Sequence, residues 1–303
     1  MAKKPHSQAV RPSPRSAPSQ APRRNAAPPV TISGRWLAWA LFIALSLAAI
    51  SAYATLALLF YQGQWQLVLH PAKTITITPA SQGLKFDEIH FDYTETGSAQ
   101  LDGWWIPAEK DTRWSRSTLL YLHDGTGSLS DYLDDLATLH SLGINVFAFD
   151  YRGFGHSAGP TPSEKRMAED ADAAWTYLAD TRNIDAKFIV IYGAGLGASL
   201  AAELAARHAP RGVILDRPSE QARQIIAADA RARLFPQWLI TERFDPSETL
   251  KNLTVPKLFL DRSGKKSRTE QLYQSAAFPK EYFELKPGAY EATLRRFFDE
   301  ILP

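Results

Sequence analysis

The segment Gly193-Ala194-Gly195-Leu196-Gly197 constrains this 303-residue chain more than any other. It separates an apolar run at residues 188–192 from an Ala/Leu-rich stretch at 198–207. A short apolar run bounded by turn residues reads as a buried strand, and the stretch after it has helical composition. Strand, sharp glycine turn and helix in that order make one βα unit, which belongs in a mostly parallel sheet covered on both faces.

The rest of the chain repeats this alternation. Residues 85–93 and 100–106 predict an antiparallel start, and 118–123, 145–150, 188–192, 212–216, 257–260 and 282–285 predict buried strands. Helical stretches fall near 131–142, 163–180, 196–208, 269–276 and 293–301. The expected fold is therefore α/β, with an eight-stranded, doubly covered sheet over residues 81–303. Residues 219–248 interrupt the pattern and read as a cap-like insertion.

Ahead of this domain the composition changes. Residues 1–35 hold seven of the chain's 34 Lys and Arg and no acid, with few large apolar side chains. Such a stretch buries too little surface to offset the entropy of ordering it, and it reads as a disordered basic tail. The remainder carries an acidic excess, which excludes nucleic acid as a partner of the folded part. Residues 36–61 contain no charge, long enough at a 1.5 Å rise to cross a hydrocarbon core of about 30 Å. Trp36, Trp39 and Tyr61 stand near its ends, as interfacial aromatics do. A cleaved signal peptide is the alternative, with Ala52-Tyr53-Ala54 as its site. An uncleaved anchor behind a basic flank predicts a cytoplasmic N-terminus and an extracytoplasmic domain, periplasmic in a bacterium. Residues 62–80 read as a linker, although 74–78 alternates like a short strand.

Several motifs give this chain a specific resemblance. Leu67-Val68-Leu69-His70-Pro71 follows the apolar segment, and Leu101-Asp102-Gly103-Trp104-Trp105-Ile106-Pro107 contains a G-W-x-x-P strand. Tyr121-Leu122-His123-Asp124-Gly125-Thr126-Gly127 resembles an H-G-N-x-G oxyanion loop, and residues 149–157 match F-D-Y-R-G-x-G-x-S. From about residue 60 onward the chain resembles the α/β-hydrolase superfamily, in its membrane-anchored, serine-aminopeptidase-like and acyl-protein-thioesterase-like branch. In that family the glycine turn is the nucleophile elbow, G-x-S-x-G, and the triad runs serine, acid, histidine along the chain.

The departures fall on the catalytic positions. Gly195 stands where the serine belongs. Lys265 aligns with the acid, and Tyr290 in Pro287-Gly288-Ala289-Tyr290 aligns with the histidine. The last histidine of the chain is His208, so the usual base does not exist. Asp124 replaces a glycine of the oxyanion loop, where a carboxylate opposes developing negative charge. Substitute groups are Ser157 with His156, Ser199, and Asp216 as an acid. The resemblance implies a pseudo-hydrolase that binds an acyl or lipid-like ligand, or a protein partner. The alternative is a serine-type ester, thioester or peptide hydrolase with a non-standard active site. The ligand site is expected at the C-terminal strand ends, from His123, Asp124, Gly125, Tyr151, Gly195, Leu196 and Tyr290. No cofactor or metal is expected: cysteine is absent, and no dinucleotide fingerprint, phosphate loop or metal-ligand spacing occurs.

Overall fold

A computed structural model describes residues 33–93, 100–218, 222–262 and 268–303. The basic tail up to residue 32 and Lys265 lie outside the described residues. The chain divides into two compact units, one ending at Tyr53 and one running from Ala54 to Pro303.

Helix α1 (Gly34–Gly63) spans the expected apolar segment and buries none of its residues. A helix that is apolar all round and exposed along most of its length suits lipid. By length and composition it fits a membrane anchor or a signal sequence.

The second unit is built on eight strands: β1 (Asp87–Asp92), β2 (Gln100–Ile106), β3 (Trp114–Leu122), β4 (Ile144–Phe149), β5 (Ile189–Ala194), β6 (Gly212–Asp216), β7 (Lys257–Asp261) and β8 (Lys280–Glu284). Their order across the sheet is β8-β7-β6-β5-β3-β4-β2-β1. β2 runs antiparallel to β1 and β4, and the pairs from β4 to β8 are parallel. Every residue of β5 is buried, because helices cover both faces. On one face Leu120, Phe147 and Ile191 pack with Met167, Ala171 and Ala174 of α3 (Glu164–Thr176) and with α4 (Gly197–His208). On the other, Tyr121, Val190 and Tyr192 pack with Leu133, Leu136 and Leu139 of α2 (Leu133–Ser141). The same face receives Leu294, Phe297, Phe298 and Ile301 of α8 (Tyr290–Ile301), a helical stripe of three-to-four spacing.

β8 begins two residues before the expected strand because it is a half-buried edge that opens on two charged residues, Lys280 and Glu281, where the apolar signal is weak. Residues 62–80, read as a linker, lie on the domain. Gln64, Val68 and Leu69 are buried, and His70–Pro71 pairs in parallel with Thr126–Gly127. The 74–78 alternation forms no strand. Ser128 and Ser130 hydroxyls donate to the carbonyls of Thr74 and Ile77, at 3.0 and 2.8 Å, and hold that stretch as a loop.

The described part of the insertion contains α5 (Ala222–Ala228) and short 3-10 turns, and leads into α6 (Ser247–Asn252). It is fastened at its far end. Glu164 accepts from the backbone N–H of Arg243 and Phe244 at 2.7 Å each, and Ser199 Oγ donates to the Phe244 carbonyl at 2.5 Å. Burial pushes the Glu164 carboxyl up to about 7. α7 (Arg268–Ser275) follows β7 and packs on it.

Candidate active site

The parallel strands point their C-terminal ends at one region, where the residues directly after β3, β5 and β7 meet the end of β6. Gly195 sits at the turn between β5 and α4 with φ +56, the left-handed region that favours glycine. Its N–H donates to the Asp216 carbonyl at 2.9 Å, which ties the turn to the end of β6. A Cβ built on Gly195 would lie 2.5 Å from the Cβ of Asp124. Two carbon atoms do not approach so closely, and a Cβ cannot swing aside as a side-chain tip can. The turn as it stands is closed to a serine, and Asp124 or the backbone must shift to admit one.

Asp124 is held in that position from two sides. Its Oδ1 accepts from the Tyr132 hydroxyl in a short bond and from the Thr126 N–H at 3.1 Å. Thr126 lies in the oxyanion loop itself, so the carboxyl group engages an N–H of the loop that in this fold serves the substrate oxyanion.

Tyr290 opens α8, and its hydroxyl stands 2.7 Å from that of Tyr192. Tyr192 in turn donates to Asp216 Oδ2 at 2.6 Å. Arg262, just after β7, binds the same carboxylate through two nitrogens, Nη2 at 2.7 Å and Nε at 3.2 Å. Its guanidinium also lies over the Tyr290 ring, 4.9 Å from the centroid. Bidentate Arg–carboxylate contacts are among the stronger polar contacts in proteins. Burial pushes both phenols well above their ordinary value, and the nearby Asp216 charge adds to it. A phenol so raised stays protonated near neutral pH and is unsuited to act as a general base.

His123 directly follows β3 and is fully buried, against the rings of Tyr132, Tyr151 and Phe154. Its Nδ1 accepts from the Gly125 N–H at 3.3 Å, which places the proton on Nε2. That Nε2 has no hydrogen bond and faces Asp150 Oδ1 at 3.7 Å. Desolvation lowers the imidazole to about 3 and raises the Asp150 carboxyl to about 8. Both are therefore neutral near pH 7, and the contact is not an ion pair.

The remaining residues of the expected ligand set pack inward. Tyr151 is buried and donates to the His123 carbonyl at 3.3 Å, and Leu196 caps α4 within the core. Gly125 has φ +82, with the Leu69 side chain against it. The structure thus joins Asp124 to Gly195, His123 to Tyr151, and Tyr290 through Tyr192 to Asp216. The substitute hydroxyls are engaged. Ser157 Oγ donates to the Asp150 carbonyl at 2.5 Å and accepts from the Asp102 N–H at 2.9 Å, while Ser199 holds Phe244. His156 is exposed beside the buried Ser157. Asp261 ends β7 and accepts from the Tyr282 hydroxyl at 2.8 Å. Among the described residues no cluster of three or more His, Asp and Glu is placed to hold a metal ion.

Three participants escaped the sequence reading: Tyr132, Tyr192 and Arg262. Tyr192 pairs in register with Tyr121 across adjacent strands, and their rings stack at 5.2 Å. Strand alternation alone assigns Tyr192 to the core. Only the strand order places it beside Asp216.

Comparison with known proteins bears on the same region. Residues 115–275, just over half of the chain, match the serine aminopeptidase S33 family. The uncharacterized protein Rv2307c of Mycobacterium tuberculosis is 29% identical over 192 residues, 60% of this chain and 65% of that protein. Human α/β hydrolase domain-containing protein 17C is 34% identical over 118 residues, 39% of this chain and 36% of its own length. The chain thus spans less than two thirds of these curated relatives. Among solved structures, the Pyrococcus furiosus esterase Pf2001 aligns with a TM-score of 0.60 at 17% identity, over 78% of this chain and 99% of its own. An α/β hydrolase from Vibrio vulnificus aligns with a TM-score of 0.57 at 22% identity, over 76% and 86%. These likenesses establish the α/β-hydrolase fold.

Proposed function

The chain belongs to the serine aminopeptidase S33 family of α/β-hydrolases, and on that premise we propose that it is a pseudo-hydrolase. It is a membrane-anchored domain that keeps the hydrolase fold and binds an acyl or lipid-like ligand without turning it over. One observation carries this reading: the 2.5 Å approach between Asp124 Cβ and a Cβ at Gly195. A single lost serine is reversible, but here a second residue fills the vacated space.

The Tyr290–Tyr192–Asp216–Arg262 network supports the same reading. It uses Tyr290, at the position aligned with the base, and the carboxylate of Asp216 for packing and hydrogen bonding. The engaged hydroxyls of Ser157 and Ser199 argue against a relocated nucleophile, since each holds a loop together. The charge-free run of α1 and the basic residues before it support an anchor, with the domain on the extracytoplasmic side.

Native mass spectrometry of the full-length chain in mild detergent, before and after a fluorophosphonate probe, tests both halves. The expected result is a retained lipid mass and no covalent adduct. An adduct mapped to Ser157 or Ser199 overturns the inactivity, and absence of any retained lipid overturns the ligand class.

A further inference from the structure

Gln64 follows the end of α1 and is buried although polar. Its amide is spent on a clamp. Nε2 donates to the carbonyls of Tyr61 and Leu239, both at 3.1 Å, and Oε1 accepts from the Thr241 N–H at 2.9 Å. One turn earlier Phe60 stacks on Phe235, ring centroids 4.8 Å apart. The insertion is thereby fixed to the last turns of α1. That is the level at which a charge-free run ending at Tyr61 leaves a hydrocarbon layer.

At this level the insertion turns apolar side chains outward. Trp238 is 78% exposed and Leu234 68%, with Ile225 on the helix before them. Arg231 and Arg233, also exposed, precede Leu234, with Arg231 paired to Asp229 at 2.9 Å. Beside this edge runs a groove of about 470 Å³, lined by Leu56, Leu59, Phe60, Leu234 and Phe235, with Arg231 at its border. Scattered exposed apolar residues need no explanation, but a cluster continuous with an anchor and rimmed by arginine does. Tryptophan with neighbouring aliphatic residues and arginine is the composition of an interfacial element on an anionic membrane surface.

We propose that residues 222–239 are seated in the interface of the bilayer that α1 enters, with Trp238 and Leu234 inserted and the groove beside Phe60 taking a phospholipid acyl chain. The arginines then lie at headgroup level. The lipid-binding surface of this protein is accordingly the outer edge of its insertion and not the closed elbow. This inference rests on the reading of α1 as a membrane anchor, and its test separates the two.

The chain has no cysteine, so a single introduced one carries a unique spin label. The full-length variants Leu47→Cys, Trp238→Cys and Phe278→Cys are reconstituted in vesicles of phosphatidylcholine with phosphatidylglycerol. Collision with oxygen, which prefers lipid, is compared with collision with a water-soluble nickel chelate. All three sites are exposed, so substitution leaves the core untouched. The expected oxygen-to-nickel ratio is severalfold higher at 47 and 238 than at 278. A lipid reading at 47 with a water reading at 238 overturns the interfacial seat and leaves the anchor standing. Exclusion of both reagents at 238 also overturns it, because protein then covers the patch. A water reading at 47 removes the anchor and the inference together.

Discussion

Asp124 and Gly195 exclude each other's larger forms: the Cβ of Asp124 stands 2.5 Å from where a Cβ on Gly195 would be. The side chain of the loop after β3 and the backbone of the turn after β5 therefore constrain each other. Restoring the serine alone meets two costs, the left-handed backbone at about 1–3 kcal/mol and overpacking of similar size. Gly195→Ser is expected to lower stability by at least ~2 kcal/mol in denaturant titration. Adding Asp124→Gly recovers part of that loss, a non-additivity on the order of 0.5–3 kcal/mol. Additive losses in the double variant would break the link between the two positions.

The Asp216 network predicts a graded series. Tyr290→Phe removes one hydroxyl link and costs about 1 kcal/mol. Asp216→Ala strands Arg262 and leaves the Tyr192 hydroxyl with Tyr290 as its partner. Its cost is about 2–4 kcal/mol, below that of a fully buried pair because the Arg262 side chain is 36% exposed. Equal effects of the two substitutions, measured by chemical unfolding, would contradict the central place given to Asp216.

Ser157 serves structure in this account. Ser157→Ala abolishes its bonds to Asp150 and Asp102 and is expected to cost about 1–3 kcal/mol. Any hydrolytic background of the preparation stays unchanged. A variant that is fully stable but loses ester hydrolysis would reverse the assignment.

The buried His123–Asp150 contact predicts a pH signature. The Asp150 carboxyl is raised from 3.8 to about 8, so the folded state holds a proton that the unfolded chain has released. Its contribution is full below pH 4 and is lost as pH rises to about 8. The His123 imidazole is lowered from 6.5 to about 3, so its contribution is full above pH 6.5 and is lost as pH falls to about 3. The two slopes oppose between pH 4 and 6.5; between about 6.5 and 8 Asp150 acts without His123, joined up to about pH 7 by the Glu164 carboxyl. Asp150→Asn is therefore expected to flatten the decline of Tm in that upper window. A decline unchanged in the variant would show that other groups set it.

Much of this was legible in the sequence because the signals were local. The strand–Gly–helix unit around Gly195 and the apolar runs of β3 to β7 need only a few consecutive residues. The reason for the closed elbow was not legible. Asp124 and Gly195 lie 71 positions apart, and their contact follows from β3 and β5 being neighbours in the sheet. The Tyr192–Asp216–Arg262 cluster depends likewise on strand order. The linker reading failed to anticipate the packing of residues 64–72, because Gln64 is polar and gives no burial signal until its partners at 239 and 241 are in place.

The most direct test of the central claim is the initial rate of p-nitrophenyl butyrate hydrolysis by the full-length chain in mild detergent. Ser157→Ala and Ser199→Ala variants are purified identically, to expose contaminating esterase. The account predicts the buffer rate, or one common trace rate, in all three. A wild-type rate well above buffer that falls in either variant would contradict it and place a working nucleophile outside the elbow.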